Sequence, residues 1–290
     1  MSKMICSDLT KCYGEKSVLE HLNLTLESGK IYGLIGRNGA GKTTLLSMMS
    51  NQNPWTSGTV TLDGEPIWEN RKALDRICFS RELNISAESG LNNLKLKDYL
   101  KTASLYYAHW DQNMADALLQ KFELNPKMKL GKLSKGMLSM VTILVAMASK
   151  AEFTFLDEPV AGLDVIAREQ FYQLLLDEYE ETGRTFVIST HIIEEAADLM
   201  EEVIILDKGR ILLHKNTQEL LDRAFYLTGA ADQVDGATEN LICHHVENIG
   251  RSKAVTVLLE EGQALKQGFD VTVQPVNLQK LFVALCGEEA

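Results

Sequence analysis

Apolar positions along this chain recur with two periods. "MICSDL", "LNLTL", "KIYGLIG", "TVTLDG" and "DRICFS" are short, rich in β-branched and aromatic residues, and closed by Gly, Asp or Ser. They predict strands, with "ESGK" as a tight turn. From about residue 91 to 122 the spacing changes to three and four. "LKLKDYLKTASLYYAHW" and "NMADALLQKFEL" therefore predict helices. Strands return at "FTFLD", "TFVIST" and "EVIILDKGRIL", with the helix "REQFYQLLLDEYEE" between the first two. Strand-helix-strand alternation implies a largely parallel sheet with helices around it. The helical block, about 83–150, reads as an insertion into that sheet. Beyond about residue 216 the pattern predicts strand "AFYLTG", a short helix, strands "LICHHV" and "AVTVLL", a second short helix, and "LQKLFVALCG". This is the pattern of a small α+β appendage. The expected division is thus 1–215 and 216–290.

Composition narrows the classes. The chain has 290 residues and a formal net charge of −11. That balance opposes sequence-independent nucleic-acid binding and docking on anionic lipid. The start, "MSKMICSDLTKCYGEK", lacks the apolar centre of a signal peptide. The longest apolar run follows "LSKGM" and covers about a dozen residues, short of the ~20 a membrane helix needs. A cytoplasmic, soluble chain is the expectation. The five cysteines are scattered, with no Cys-x-x-Cys pair, and read as reduced thiols. In "CHH", Cys243 and His245 could share a strand face but His244 could not, so no metal is expected there. Glu288 and Glu289 read as solvated charges.

Three strand ends carry chemistry. "GRNGAGKTT" matches G-x-x-x-x-G-K-[ST] between a predicted strand and a predicted helix. The glycines Gly36, Gly39 and Gly41 let successive N–H groups turn inward, and the helix N-terminus adds partial positive charge. Gly36, Asn38, Gly39, Ala40, Gly41, Lys42, Thr43 and Thr44 are the candidate phosphate cradle. In it Lys42 reaches the β- and γ-phosphates of ATP and the Thr43 hydroxyl serves Mg²⁺. "FTFLDEP" ends a strand in two acids: Asp157 for Mg²⁺ and Glu158 to orient or deprotonate the attacking water. "VISTH" places His191 at the end of another strand, within reach of a γ-phosphate. "LSKGM" admits two readings by itself: Ser134 as a plain helix cap, or Ser134 and Gly136 as donors to an anion.

The order P-loop, "LSKGM", "LDEP", "GLD", "STH" resembles the ATPase subunit of ATP-binding-cassette (ABC) transporters, over roughly residues 4–215. "LSKGM" stands where that family carries Leu-Ser-Gly-Gly-Gln. The resemblance implies a P-loop ABC ATPase fold: a mostly parallel core sheet, an antiparallel β subdomain and a helical insertion. It also implies two cassettes paired head to tail, as a homodimer or a heterodimer with a similar ATPase. Ser134 and Gly136 of one would meet the nucleotide on the P-loop of the other. Tyr13 matches the aromatic that stacks on adenine, Asp164 the loop linking the two sites, and His191 the switch histidine. Asp157 and Glu158 match the Mg²⁺-side acid and the catalytic base. Glu82 matches the position of a glutamine that binds Mg²⁺ or positions water.

Lys135, Met137 and Glu82 depart from the pattern, and "LSMVT" lacks the arginine that often follows the signature. The resemblance is closest to bacterial exporter ATPases that act with a separate integral-membrane permease. These serve antibiotic resistance, bacteriocin immunity and export of phenol-soluble-modulin-like peptides. The ATPase would sit on the inner face of the membrane through that permease. The alternative is a soluble ABC ATPase acting on ribosomes or DNA, whose relatives usually carry two cassettes or long coiled coils. A nucleotide-gated regulatory module with a weakened site is a third reading.

Overall fold

The computed structural model describes residues 1–85 and 90–287, so Glu288, Glu289 and part of the 83–150 block lie outside the described residues. An antiparallel sheet opens the chain. Strands β1 (Lys3–Tyr13) and β2 (Lys16–Glu27) form a long hairpin. After β3 (Ile31–Ile35) and helix α1 (Lys42–Met49), β4 (Ser57–Leu62) and β5 (Glu65–Pro66) complete the order β2-β1-β4-β5. Helix α2 (Arg71–Leu74) then leads to β6 (Ile77–Ser80).

Helices α3 (Leu96–Tyr106), α4 (Gln112–Lys121) and α5 (Lys135–Ala148) follow. The helical pattern read through Trp110 breaks at Tyr106, and Asp111 caps α4 by accepting from Met114 N at 3.0 Å. The core sheet resumes with β7 (Phe153–Asp157), α6 (Val165–Thr182), β8 (Thr185–Thr190), α7 (Ile193–Ala196), β9 (Glu202–Asp207) and β10 (Arg210–Asn216). Its order is β10-β9-β3-β8-β7-β6, parallel throughout except the antiparallel edge strand β10.

Strand β3 shows why this sheet is central. All five residues of "IYGLI" are buried. Ile31 and Ile35 join the helices α3–α7 on one face; Tyr32 and Leu34 join α1 and the antiparallel sheet on the other. A strand buried on both faces reads as an unbroken apolar run. At Gly33 a Cβ would lie 2.0 Å from the Met200 sulfur, so any side chain there would have to displace that methionine.

The C-terminal part comprises α8 (Thr217–Leu221), β11 (Ala224–Ala230), α9 (Ala231–Ala237), β12 (Cys243–Ile249), β13 (Ser252–Leu258), β14 (Val271–Pro275) and α10 (Leu278–Cys286). Its sheet is antiparallel, in the order β12-β13-β11-β14. The second short helix expected in this part is instead β14, "VTVQP", paired with β11 from Val271↔Gly229 to Pro275↔Phe225. The β-branched alternation finds its partner edge only once β11 is in place. One face of the sheet packs α9 through Leu227, Val234, Ala237, Val255 and Val257. Leu278, Leu281 and Cys286 of α10 instead belong to the main core cluster, with Ile193 and Ala196 of α7.

Candidate active site at the carboxyl ends of the core strands

The P-loop joins β3 to α1. Gly36 is demanded by crowding, since a Cβ would lie 2.4 Å from Leu206 O. Gly41 caps α1 at φ 108°, a left-handed conformation that favours glycine, and a Cβ would strike Leu19 of β2 at 2.7 Å. The start of β2 is thereby held against the P-loop. Lys42 is buried, and its Nζ donates to Gly36 O at 2.7 Å. Burial lowers its pKa, while the Glu158 and Asp157 carboxylates act in the opposite sense.

Asp157 ends β7 beside this loop. Its Oδ2 accepts from Thr43 Oγ1 at 2.7 Å and its Oδ1 from Ser189 Oγ. Two hard oxygens in contact, one anionic, suit Mg²⁺, which prefers oxygen donors and one or two carboxylates. Glu158 has φ 49°, outside the usual range for a residue with a Cβ. Such conformations cost about 1–3 kcal/mol and persist where the surroundings over-determine them. Here its N–H donates to Ser189 O at 3.0 Å and Ser189 Oγ at 3.2 Å. The turn aims the carboxylate at His191, whose Nδ1 lies 2.6 Å from Glu158 Oε2. Three neighbouring parallel strands, β3, β8 and β7, thus bring Lys42, Thr43, Asp157, Glu158 and His191 to one sheet edge. Ser189 went unnoticed in the sequence, where it is one more polar residue in "VISTH". Only the β7–β8 register, with Asp157 opposite Ser189, reveals it.

"LSKGM" is a helix start in the structure. Ser134 is exposed and caps α5, its Oγ accepting from Met137 N at 3.2 Å. The first turn of α5 is packed against the "AGLD" loop. Ser139 Oγ donates to Ala161 O at 2.7 Å, and a Cβ on Gly136 would lie 2.8 Å from Gly162 O. Gly136→Ala would gain ~1 kcal/mol from helix propensity alone. The backbone contact reverses the sign, and the expected result is a loss of about 1–3 kcal/mol in thermal unfolding. A stabilised variant would show that α5 does not rest on this loop.

Asp164 caps α6 by accepting from Ala167 N at 2.9 Å, and Val165 and Ile166 beyond it are 73% and 72% exposed. Tyr13 is half exposed at the end of β1, its hydroxyl accepting from Asn53 Nδ2 at 2.5 Å, with Lys11 Nζ 4.6 Å from the ring centre. Among the described residues, Ser134 Oγ bonds Met137 N and Gly136 lies against Gly162, and neither is bonded to this chain's P-loop cluster. Glu82 is exposed beyond β6 and pairs at 3.4 Å with Lys135 on the signature turn.

The ABC transporter family matches residues 19–161. The bacitracin transport ATP-binding protein BcrA of Bacillus licheniformis is 30% identical over 97% of this chain and 96% of its own length. The taurine import ATP-binding protein TauB of Escherichia coli O157:H7 is 35% identical over 70% of this chain and 79% of its own. A dimeric ATP-binding cassette with ADP and Pi superposes with TM-score 0.63 at 24% identity, over 74% of this chain and 98% of that one. A P-loop backed by two strand-end acids, on a core sheet shared with solved cassettes and in a chain matched nearly end to end by BcrA, has one family to answer to: the chain belongs to the ATP-binding, ATP-hydrolysing subunits of ABC transporters.

Proposed function

We propose that this chain forms a two-ATP dimer that drives a separate membrane permease in exporting a peptide, toxin or antibiotic-like molecule. The observation that carries the mechanism is the Lys42–Thr43–Asp157–Glu158–His191 cluster at one sheet edge. Lys42, the N–H groups from Asn38 to Thr44 and the N-terminus of α1 bind the β- and γ-phosphates. Thr43 and Asp157 would hold Mg²⁺, which would neutralise charge on those phosphates. Glu158 takes a proton from the attacking water, and His191 holds that carboxylate in place and meets the γ-phosphate. Tyr13 stacks on adenine at the exposed end of the β1–β2 hairpin. Ser134 and Gly136 of a second cassette close over the γ-phosphate, and Asp164 lies at the junction of the two sites. Glu82 completes the proposed Mg²⁺ set from the rim, in exchange for its pairing with Lys135.

Residues 1–215 carry these roles, with 83–150 as the helical subdomain; 216–290 are accessory. The exposed Leu105 and Tyr106 on α3, 80% and 71% accessible, offer an apolar contact for the permease. No helix among the described residues is long and apolar enough to cross a membrane, so transport requires that partner. Export is favoured over import by the reach of a Nod factor export ATP-binding protein of Rhizobium etli, 25% identical, along 100% of this chain, where the taurine import relative matches 70%. The test is co-purification from native membranes in mild detergent with ATP. A multi-span protein at one permease unit per two ATPase chains is expected. Recovery of ribosomes, DNA or the ATPase alone would overturn the transporter reading.

A further inference from the structure

The histidine that faces Glu158 is not held by burial. Its side chain is 57% exposed, and it stands between the end of β8 and α7, a helix of only four residues. Its position depends on what anchors 191–196. Two anchors are local: Ile192 N donates to Thr190 Oγ1 at 2.9 Å, and Glu195 pairs with Arg168 of α6 at 2.9 Å. The third comes from the far end of the chain. Ile193 and Ala196 are buried in the cluster that also takes in Leu278, Leu281 and Cys286 of α10.

Helix α10 is built to dock there. Asn277 caps it, its Oδ1 accepting from Lys280 N at 2.8 Å. Leu278, Leu281, Phe282 and Leu285 fall on one stripe at positions i, i+3, i+4 and i+7. Leu278 and Leu281 are fully buried, while Phe282 and Leu285 are partly buried along the same stripe. Phe282 lines a cleft of about 350 Å³ together with Gly36, Arg37, Asn38, His191 and Ile193. The lining thus joins the first stretch of the P-loop to the proposed switch histidine. Leu285 lines a different cleft, toward β10, with Leu212 and Leu213. Cys286, at the end of the same helix, is buried in the main core cluster as well.

We propose that Phe282 is a positioning residue for ATP hydrolysis: from the C-terminal unit it backs the His191–Ile193 segment and keeps His191 directed at Glu158. The aromatic ring is a rigid stop at the one place where the switch segment, the P-loop and α10 meet. Truncating it widens the cleft and removes the apolar wall that faces the segment. A shift of about 1 Å in a group that orients the base costs as much as ~10²-fold in rate, while phosphate binding by the P-loop is unaffected. The proposal rests on the assignment of Glu158 and His191 given above.

The test compares Phe282→Ala, Phe282→Leu, Leu285→Ala and Glu158→Gln in the full-length chain. Steady-state ATP turnover, binding of a fluorescent ATP analogue and thermal unfolding would be measured on each. For Phe282→Ala a roughly tenfold lower kcat is expected, with analogue affinity within about twofold of the parent. Phe282→Leu, which keeps an apolar side chain of nearly the same reach on that wall of the cleft, should recover most of the rate. Leu285→Ala removes a comparable apolar side chain from the same stripe, one turn further on in the cleft with Leu212 and Leu213, and should leave kcat unchanged. Parental turnover in Phe282→Ala, with Glu158→Gln inactive, would overturn the positioning role and leave the site intact. Equal losses in Leu285→Ala and Phe282→Ala would also overturn it, since the effect would then be that of a loosened helix. Parental turnover in Glu158→Gln would sink the site assignment itself.

Discussion

Glu158→Gln is expected to bind ATP as the parent does and to hydrolyse it about 10²- to 10⁴-fold more slowly, the range over which a positioned general base contributes. The substitution is nearly isosteric. Glutamine keeps an oxygen that can accept from His191 Nδ1, and its backbone N–H keeps the bonds to Ser189. What is lost is the ability to take a proton from water. If the γ-phosphate is what holds two cassettes together, a variant that cannot remove it should accumulate as an ATP-bound dimer. Turnover measured by phosphate release and mass by light scattering, with and without ATP, check the two halves. Parental turnover would remove Glu158 from the role of base. A slow variant that stays monomeric with ATP would separate the base from the proposed switch.

Glu178→Ala is expected to have the largest effect on stability, although it touches no substrate. Glu178 is 1% exposed on α6. Its carboxylate accepts from Lys150 Nζ at 2.8 Å through both oxygens and from Arg184 at 2.9 Å. Arg184, itself 5% exposed, goes on to donate to the carbonyls of Ala146, Met147 and Ala151 and to Thr154 Oγ1. Two of those carbonyls belong to the last turn of α5, where a helix leaves acceptors unsatisfied. The network thus ties the signature helix, α6 and the start of β7 together. Removing the one carboxylate leaves a guanidinium buried without its counter-charge, at about 3–5 kcal/mol. For a chain of this length that lowers Tm by roughly 10 °C. The double variant Glu178→Leu with Arg184→Met should recover much of the loss, because the remaining charge is removed as well. A single-variant loss below about 1 kcal/mol in thermal unfolding would mean that water or the carbonyls already satisfy Arg184.

The phosphate cradle was legible before the fold because its chemistry is local. Gly36 to Thr44 contains the glycines, the lysine and the hydroxyl within nine residues, between a strand and a helix that the hydrophobic pattern announces. The carboxylates of "LDEP" were legible for the same reason: an apolar strand that ends in acids delivers them to the sheet edge. The core strands β3, β7, β8 and β9 were recognisable because burial on both faces leaves an unbroken apolar run.

What the sequence concealed depends on partners far away along the chain. Strand β14 looked helical because a lone segment does not announce which edge it will join, and β11 lies some forty residues earlier. Ser189 became part of the acid site only when β7 and β8 aligned it with Asp157. The Glu82–Lys135 pair brings together residues from two sides of the helical block. The segment "LQKLFVALCG" was marked out in the sequence, but neither its helix α10 nor its seat beside the 191–196 segment was legible. Periodicity shows that a helix has an apolar face, and only tertiary packing decides which surface that face covers. By itself, then, the sequence determined the central sheet and marked out the proposed phosphate site, whose signals are short-range. The tertiary structure alone decided how the catalytic groups are held and that the chain's last helix reaches back to the site, because those contacts join elements that share no local pattern.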